Sequence, residues 1–354
     1  MKTTLFACLL PASLLAQGDL APPAGAPAAG MKTLEQMEPR IPVQKLAAAP
    51  PYTISASGSY YLTGNITVAD GNAINIIVGQ GGVTLDMNGY TISSTHPSGS
   101  GTAISIYPSS SASTIFNGHI FSGTTYSAPN FTSRGFSGGI VAQSGVASHQ
   151  VRDVTVTGVS GLGINLGFHS LVSNCSVKTV MDTGIIAGTV TGSRAHEIGG
   201  TGILAGTVSD SSATSVDSGG QAGIAGETVE NCTGTSKGGA GIAGGNVRGC
   251  TGISTGSSPS LVDKSYGISA TWSVSDSRGT STNSWGVYSS NGNVTNCYGI
   301  SSNSSLGGGI FSPGTVSFSR GYCTGGTAIS AFNAIGCSAV AGTVTATNKS
   351  LGTP

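Results

Sequence analysis

The stretch NCTGTSKGGAGIAGGNVRGCTG (residues 231–252) contains the tripeptide CTG twice, with Cys232 and Cys250 eighteen positions apart. Two cysteines in a glycine-rich segment are compatible with a metal site, a disulfide or a phosphate-binding loop. They are equally compatible with a chain that returns to the same position once per turn of a repeating structure. The spacing of similar segments elsewhere in the chain decides between these interpretations.

Segments that begin with a Gly-Ile type dipeptide recur at intervals of 18 to 26 residues. Their first residues are Gly163, Gly184, Gly202, Gly223, Gly241, Gly267, Gly286, Gly309 and, in variant form, Ala328. A second motif, centred on a valine, alternates with them along the chain. These valines are Val151, Val172, Val190, Val208, Val229, Val247, Val274, Val294 and Val316. The regular return of both motifs indicates a repeat architecture.

Two positions after most of these valines stands Asp, Asn or Gly, residue types that tolerate a left-handed backbone at a bend. The apolar residues alternate with polar ones, and Gly, Ser and Thr are poor helix formers. A short strand, a bend and another short strand in each repeat is typical of a solenoid. We therefore predict an all-β chain of stacked coils with 18–26 residues per coil, whose strands pair in parallel about 4.8 Å apart.

The third position after the valine explains the paired cysteines of residues 231–252. Small residues, mostly Cys or Ser, occupy that column: Val154, Cys175, Ser193, Ser211, Cys232, Cys250, Ser277, Cys297, Ser319 and, from a last copy, Cys337. Because Ser alternates with Cys, we interpret small size as the requirement of the position. Buried free thiols are favoured over a Cys232–Cys250 disulfide, and both are favoured over a metal site.

Composition excludes some classes of function. Only 8% of the residues are charged, against roughly 25% in ordinary soluble domains, and 14 basic residues balance 14 acidic ones. We therefore predict no nucleic-acid partner, since no excess of basic residues is available to neutralise phosphates. Residues 1–16 resemble a secretory signal peptide, which predicts export, and no other stretch is long and apolar enough to span a membrane.

The predicted organisation has five parts. After the signal peptide (1–16), a Pro/Ala/Gly linker covers residues 17–30, and a lead-in with cap strands covers residues 31–102. The β-helix repeats occupy residues 103–345, and residues 346–354 are predicted to form a C-terminal tail.

Several segments resemble secreted right-handed parallel β-helix repeat proteins of environmental bacteria. They are TLEQMEPRIPV (33–43), YTISASGSYYLTGNITV (52–68), GVTLDMNGYTI (82–92), STIFNGHIFSG (113–123) and HQVRDVTVTGVSGLGI (149–164). The same broad superfamily includes pectate lyases and the periplasmic NosD type. The resemblance extends from about residue 31 to the end and implies a right-handed, single-stranded parallel β-helix with an N-terminal cap. It does not imply a particular reaction.

One local concentration of titratable residues lies in the first three repeats: Arg152, Asp153, Lys178, Asp182, Arg194, His196 and Glu197. Lys178 and His196 both stand six positions after a repeat valine, so we expect them to be stacked neighbours. Lys178, Asp182, His196 and Glu197 are the candidates for catalysis, and Arg152, Asp153 and Arg194 are candidates for contacts to a sugar acid. The alternative interpretation, an ordinary solvated turn, is favoured.

Aromatic residues that could bind carbohydrate cluster between residues 266 and 298: Tyr266, Trp272, Trp285, Tyr288 and Tyr298. Tyr298 follows the small-residue column and is predicted to point outward, as are Arg278 and Arg320 at the same position of their repeats. Filling of the core or of gaps between coils is the favoured alternative for the group.

These patterns predict an exported binding or structural rod at or outside the cell surface, with the periplasm as the alternative location and polysaccharide as the favoured ligand. The alternative is a polysaccharide lyase or a glycoside hydrolase. A lyase of this fold would need acidic clusters for Ca²⁺ and a basic residue nearby, and a hydrolase would need close carboxylates. Apart from Ca²⁺ in that alternative, we predict no cofactor and no metal.

Overall fold

The computed structural model describes residues 39–108, 110, 112–143, 148–256, 265–303, 305 and 307–350. The predicted signal peptide, the linker and the start of the lead-in lie outside the described residues. The described residues from Arg40 onward belong to one compact unit. In the described part of the chain, no helix is long and apolar enough to cross a membrane.

The described residues form strands of 2 to 16 residues, together with one 3-10 helix at Val43–Lys45. The strands are β1 (Ile41–Pro42), β2 (Tyr52–Ile54), β3 (Gly58–Tyr61), β4 (Ile66–Val68), β5 (Ile74–Ile76), β6 (Val83–Asp86), β7 (Thr91–Ser94), β8 (Thr102–Ile106), β9 (Ser113–Phe121), β10 (Thr125–Ser127), β11 (Asn130–Thr132), β12 (Gly138–Ala142), β13 (Gln150–Val159), β14 (Leu162–Ser173), β15 (Ser176–Val180), β16 (Ile185–Thr191), β17 (Arg194–Ile198), β18 (Ile203–Ser209), β19 (Ser212–Ser215), β20 (Ile224–Glu230), β21 (Thr233–Ser236), β22 (Ile242–Arg248), β23 (Thr251–Ser254), β24 (Ile268–Ser275), β25 (Arg278–Ser281), β26 (Val287–Ser289), β27 (Asn293–Thr295), β28 (Tyr298–Ser301), β29 (Gly308–Ser317), β30 (Arg320–Ile335) and β31 (Ser338–Ser350).

All strands but two belong to one continuous sheet of 29 strands in which the pairing is parallel. The exceptions, β10 and β11, form a small antiparallel pair between β9 and β12 in the chain. The predicted all-β parallel solenoid is thereby confirmed. Its right-handed winding stays a prediction, supported by the general preference for right-handed crossovers between parallel strands.

The sheet winds around the core and gives the rod three faces. Face I is defined by the inward column Tyr52, Ile74, Ile104, Ile140, Ile164, Ile185, Ile203, Ile224, Ile242, Ile268, Val287, Ile310, Ile329 and Val344. Face II follows it in each coil and carries the repeat valines, which pair in register from Val151 to Val316. Face III carries the inward column Ile66, Ile92, Ile120, Val156, Val177, Ala195, Ala213, Gly234, Gly252, Gly279, Gly299, Gly321 and Ala339. Both sequence motifs are therefore ladders of stacked residues, as predicted.

The core becomes narrower along the rod because the inward side chains of face III shrink from Ile and Val to Ala and then Gly. At Gly234, an added Cβ would lie 2.1 Å from the carbonyl oxygen of Gly241 on face I of the next coil. In this part of the rod the opposite walls touch through backbone atoms. Glycine is required there because no side chain fits between the walls.

The bend between faces II and III explains the column of Asp, Asn and Gly. These residues have a left-handed backbone, with φ of 56° at Asp153, 49° at Asp210 and 51° at Asp276. Their side chains bond between coils: the amide of Asn296 donates to Asp276 Oδ1 at 2.7 Å, and the amide of Asn231 donates to Asp210 Oδ1 at 3.3 Å. Asp is therefore used here for its backbone conformation and its hydrogen bonds.

The small-residue column has a hydrogen-bonding role that size alone does not explain. The backbone N–H of Cys175 donates to Ser193 Oγ at 3.1 Å, and the N–H of Cys232 donates to Cys250 Sγ at 3.4 Å. The six cysteines of the described chain are free and buried. Burial raises the pKa of Cys175 to about 12, so this thiol stays protonated.

The two ends of the stack carry different side chains. At the N-terminal end, Val43 of the 3-10 helix is fully buried. At the other end, coil pairing continues to Ser350, five residues into the segment predicted as a C-terminal tail. Lys349 there occupies the place of the repeat valine opposite Ala334, and its ammonium donates to the carbonyl oxygen of Val344 at 2.7 Å.

Candidate functional site

The predicted neighbours Lys178 and His196 are paired on adjacent strands β15 and β17, on the outside of face III. Lys178 Nζ lies 3.6 Å from Glu197 Oε1, and Thr179 Oγ1 donates to Glu197 Oε2 at 2.6 Å. His196 Nδ1 lies 3.4 Å from the hydroxyl of Thr214. Lys178 and Glu197 thus form an exposed, mutually neutralising ion pair, which is a weak interaction of the usual surface type.

Arg194 lies two positions before His196 on β17, also on the outside of face III, and the remaining three predicted members lie elsewhere. Arg152 and Asp153 pair with each other at 3.1 Å on face II and its bend, where the Arg152 guanidinium also lies 4.1 Å from the centre of the Phe116 ring. Asp182 lies on the turn from face III to face I and accepts the hydroxyl of Thr183 at 3.3 Å. The seven residues therefore occupy three regions of the surface.

The aromatic cluster is also divided by the fold. Tyr266 and Tyr288 stack with ring centroids 4.5 Å apart, and Tyr288 stacks on Phe311 at 5.1 Å. Trp285 packs against the same Phe311 at 5.3 Å. Tyr266 is buried, and burial raises its pKa above the usual range. Three of the five predicted aromatic residues, Tyr266, Trp285 and Tyr288, therefore belong to one stack of rings along face I.

Trp272 and Tyr298 lie apart from that stack. Trp272 is 56% exposed on the edge where face I turns into face II. Tyr298 projects outward from face III, in register between Arg278 and Arg320. The predicted outward column of these three residues is present, and the Arg278 guanidinium lies 5.5 Å from the centre of the Tyr298 ring.

Arg278, Tyr298 and Arg320 form one wall of a shallow groove, which we call the arginine groove. Its other wall is the bend column, with Asp276, Asn296 and Phe318. Arg278 and Arg320 lie two coils apart. At the spacing of parallel strands, this separates them by about 9.6 Å along the rod axis. The Asp276 carboxylate accepts a hydrogen bond from the Asn296 amide and lies 3.9 Å from Arg248 Nε, so one amide donor and one cation of the protein already contact it.

Phe318 is the unusual residue of the arginine groove. It occupies the Asp/Asn/Gly column with φ of 48°, and its side chain is 67% exposed. A bulky residue in the left-handed region is strained by about 1–3 kcal/mol, and such outliers cluster at functional sites. Sequence reasoning missed Phe318, although a phenylalanine two positions after Val316 breaks the column visibly.

One outward ladder of face III carries charge of a single sign. In the described coils, this ladder consists of Thr91, His119, Thr155, Ser176, Arg194, Ser212, Thr233, Thr251, Arg278, Tyr298, Arg320 and Ser338. The ladder contains three arginines and no carboxylate. A neutral chain thus presents one basic stripe, because its carboxylates lie mainly at bends.

No family model and no curated protein matches this chain. Within the described residues, no group of three or more His, Cys, Asp or Glu side chains is arranged to hold a metal ion.

Proposed function

We propose that this chain is a binding rod for an acidic polysaccharide, which lies in the arginine groove along face III. The observation that carries the proposal is the ladder Arg278–Tyr298–Arg320, in which two cations flank an aromatic ring at regular spacing. We infer that the protein acts at or outside the cell surface, because residues 1–16 resemble a secretory signal peptide.

The chemistry of the groove matches a polymer of sugar acids. A guanidinium binds a carboxylate through two parallel hydrogen bonds, and arginine is the side chain best suited to this contact. The exposed ring of Phe318 and the ring of Tyr298 offer apolar surfaces against which sugar rings pack. An extended polymer along the rod axis would meet the guanidinium groups of Arg278 and Arg320, which lie two coils apart.

The test is calorimetric titration with polygalacturonate and alginate, and with dextran as an uncharged polymer. We expect the acidic polymers to bind and dextran not to bind, with affinity that falls as salt screens the arginines. The double variant Arg278→Gln, Arg320→Gln should bind about tenfold more weakly, roughly 1.4 kcal/mol. Arg194→Gln is the matched control, because Arg194 is an exposed arginine of the same ladder outside the groove.

Two results would overturn the proposal. Equal affinity of the double variant and of Arg194→Gln would remove the arginine groove as the site. Release of new reducing ends or unsaturated sugars from the polymer would replace the binding role with the alternative, a lyase or hydrolase, for which Lys178, Asp182 and His196 would be substituted first.

A further inference from the structure

The outer surface of face I carries a ladder of outward residues that includes no charged side chain. We call it the face I ladder; it runs through twelve coils, from Asn75 to Ser330. Its central members are apolar and partly exposed: Ile186, Leu204, Ala225 and Ala243. A contiguous apolar surface of this kind marks a place where another macromolecule packs.

The face I ladder is self-complementary in size about the midpoint between Leu204 and Ala225. One coil further out on each side, Ile186 is matched by Ala243. The next matched pairs are Asn165 with Ser269, Val141 with Tyr288, and Ser105 with Phe311. In every pair a larger side chain corresponds to a smaller one. A two-fold axis that crosses the rod at this midpoint therefore places large side chains of one copy opposite small side chains of a second copy.

The same axis pairs the exposed hydrophobic residues at the edge where face I turns into face II. Phe168 and Trp272 are 59% and 56% exposed, and each stands four positions after an inward isoleucine, at a register shift of its strand. Their coils lie at equal distances on either side of the midpoint. Ile77 and Phe332, each three positions after an inward isoleucine, are also exposed and are matched in the same way. Two independent sets of residues thus follow one symmetry.

The size of face I is sufficient for a stable interface. Twelve coils at about 4.8 Å, each with about five residues at about 3.3 Å, give an area of about 58 by 16 Å, or about 900 Å². Stable complexes bury about 800 Å² on each partner. Glu227 is exposed at the corner with face II, where the rim of an interface is solvated.

We propose that face I is the interface of an antiparallel homodimer, with its two-fold axis between the coils of Leu204 and Ala225. Leu204 packs on Ala225 of the partner subunit, and Phe168 packs on Trp272 of the partner subunit at the edge of the interface. Such a two-fold interface is isologous, so each contact occurs twice. The arginine groove lies at the bend between faces II and III and stays open in this dimer, so the proposal does not rest on the proposed function.

The first test is sedimentation of the purified chain over a range of concentrations, which should show a dimer in equilibrium with the monomer. Leu204→Glu should raise the dissociation constant at least about a hundredfold, because the interface would bury an unpaired charge beside an apolar side chain. Thr207→Glu is the matched control, since Thr207 lies on the same strand but points outward on face II. Both substituted positions are outward, and circular dichroism should show the same strand content in both variants.

The second test determines how the two copies are arranged. In the double variant Phe168→Cys, Trp272→Cys, the two thiols lie five coils apart within one chain, about 24 Å, so a short bismaleimide joins them only between copies. Peptide mapping should find the 168–272 link. The control is Phe121→Cys, Trp272→Cys, because Phe121 is equally exposed, at 59%, but lies on face III. This control should give no linked dimer.

Three results would overturn the proposal. A monomer at every concentration would show that a second copy does not cover face I. Equal dissociation constants for Leu204→Glu and Thr207→Glu would place the interface on another surface. Absence of the 168–272 link from a dimer would exclude the antiparallel arrangement about this axis.

Discussion

Replacement of Ser193 by alanine and by cysteine separates two explanations for the small-residue column. Ser193 is fully buried, and its Oγ accepts the Cys175 N–H at 3.1 Å and donates to the Thr191 carbonyl at 3.0 Å. In Ser193→Ala the Thr191 carbonyl keeps the Asn174 N–H at 3.1 Å, but the Cys175 N–H loses its acceptor. An orphaned buried donor costs about 1–3 kcal/mol.

Ser193→Cys should cost less, because Cys250 already accepts the Cys232 N–H through its sulfur at 3.4 Å. The assay is hydrogen exchange of the Cys175 amide, since long repeat arrays need not unfold in one step. A loss of 1–3 kcal/mol corresponds to exchange about 5- to 140-fold faster in Ser193→Ala than in the wild type. Equal exchange in both variants would refute the hydrogen-bond explanation and leave small size as the requirement.

Three further outcomes are expected. Phe318→Asn should raise the free energy of unfolding by about 1 kcal/mol, because asparagine relieves the backbone strain at this position. The same variant should bind acidic polymer more weakly. Lower stability together with unchanged binding would contradict this prediction. Burial lowers the pKa of His149 in the folded protein. The unfolded chain therefore takes up the proton first as the pH falls below about 6.5. The free energy of unfolding then falls with pH, by at most about 1.4 kcal/mol per pH unit. Denaturant titrations of His149→Gln between pH 7 and pH 5 should lack this component, and an identical pH dependence in both proteins would exclude it. Lys349→Val should promote end-to-end association, seen by sedimentation, because an inward-pointing charge on an edge strand blocks pairing; a monomer at every concentration would contradict this.

The ladders could be predicted from the sequence because most repeats differ by only a few residues in length. Alignment on the valines then places equivalent residues at equivalent points of the coil, as the pairing of Lys178 with His196 confirms. Tyr298 lies on the outside of its strand beside Arg278 for the same reason. The position of a residue is predictable where the repeat motif itself fixes it.

The aromatic cluster was less predictable because nearness in sequence was used in place of position within the repeat. Tyr288 and Phe311 each stand two positions after a repeat glycine, Gly286 and Gly309, which puts both on the outside of face I and allows them to stack. Tyr298 stands after the bend and therefore belongs to face III. Counting from the nearest motif would have separated these rings and would have found Phe311.

The charge of face III follows from the same geometry. A left-handed bend in every coil selects Asp, Asn or Gly, so several carboxylates of the chain are placed at that bend, as at Asp210 and Asp276. Outward positions on the strands have no such requirement, and there the arginines accumulate. Balanced composition thus excludes a globally basic protein but not a basic stripe. For a solenoid, the quantity that bears on ligand class is the net charge of each outward ladder, which the register determines and the total composition does not.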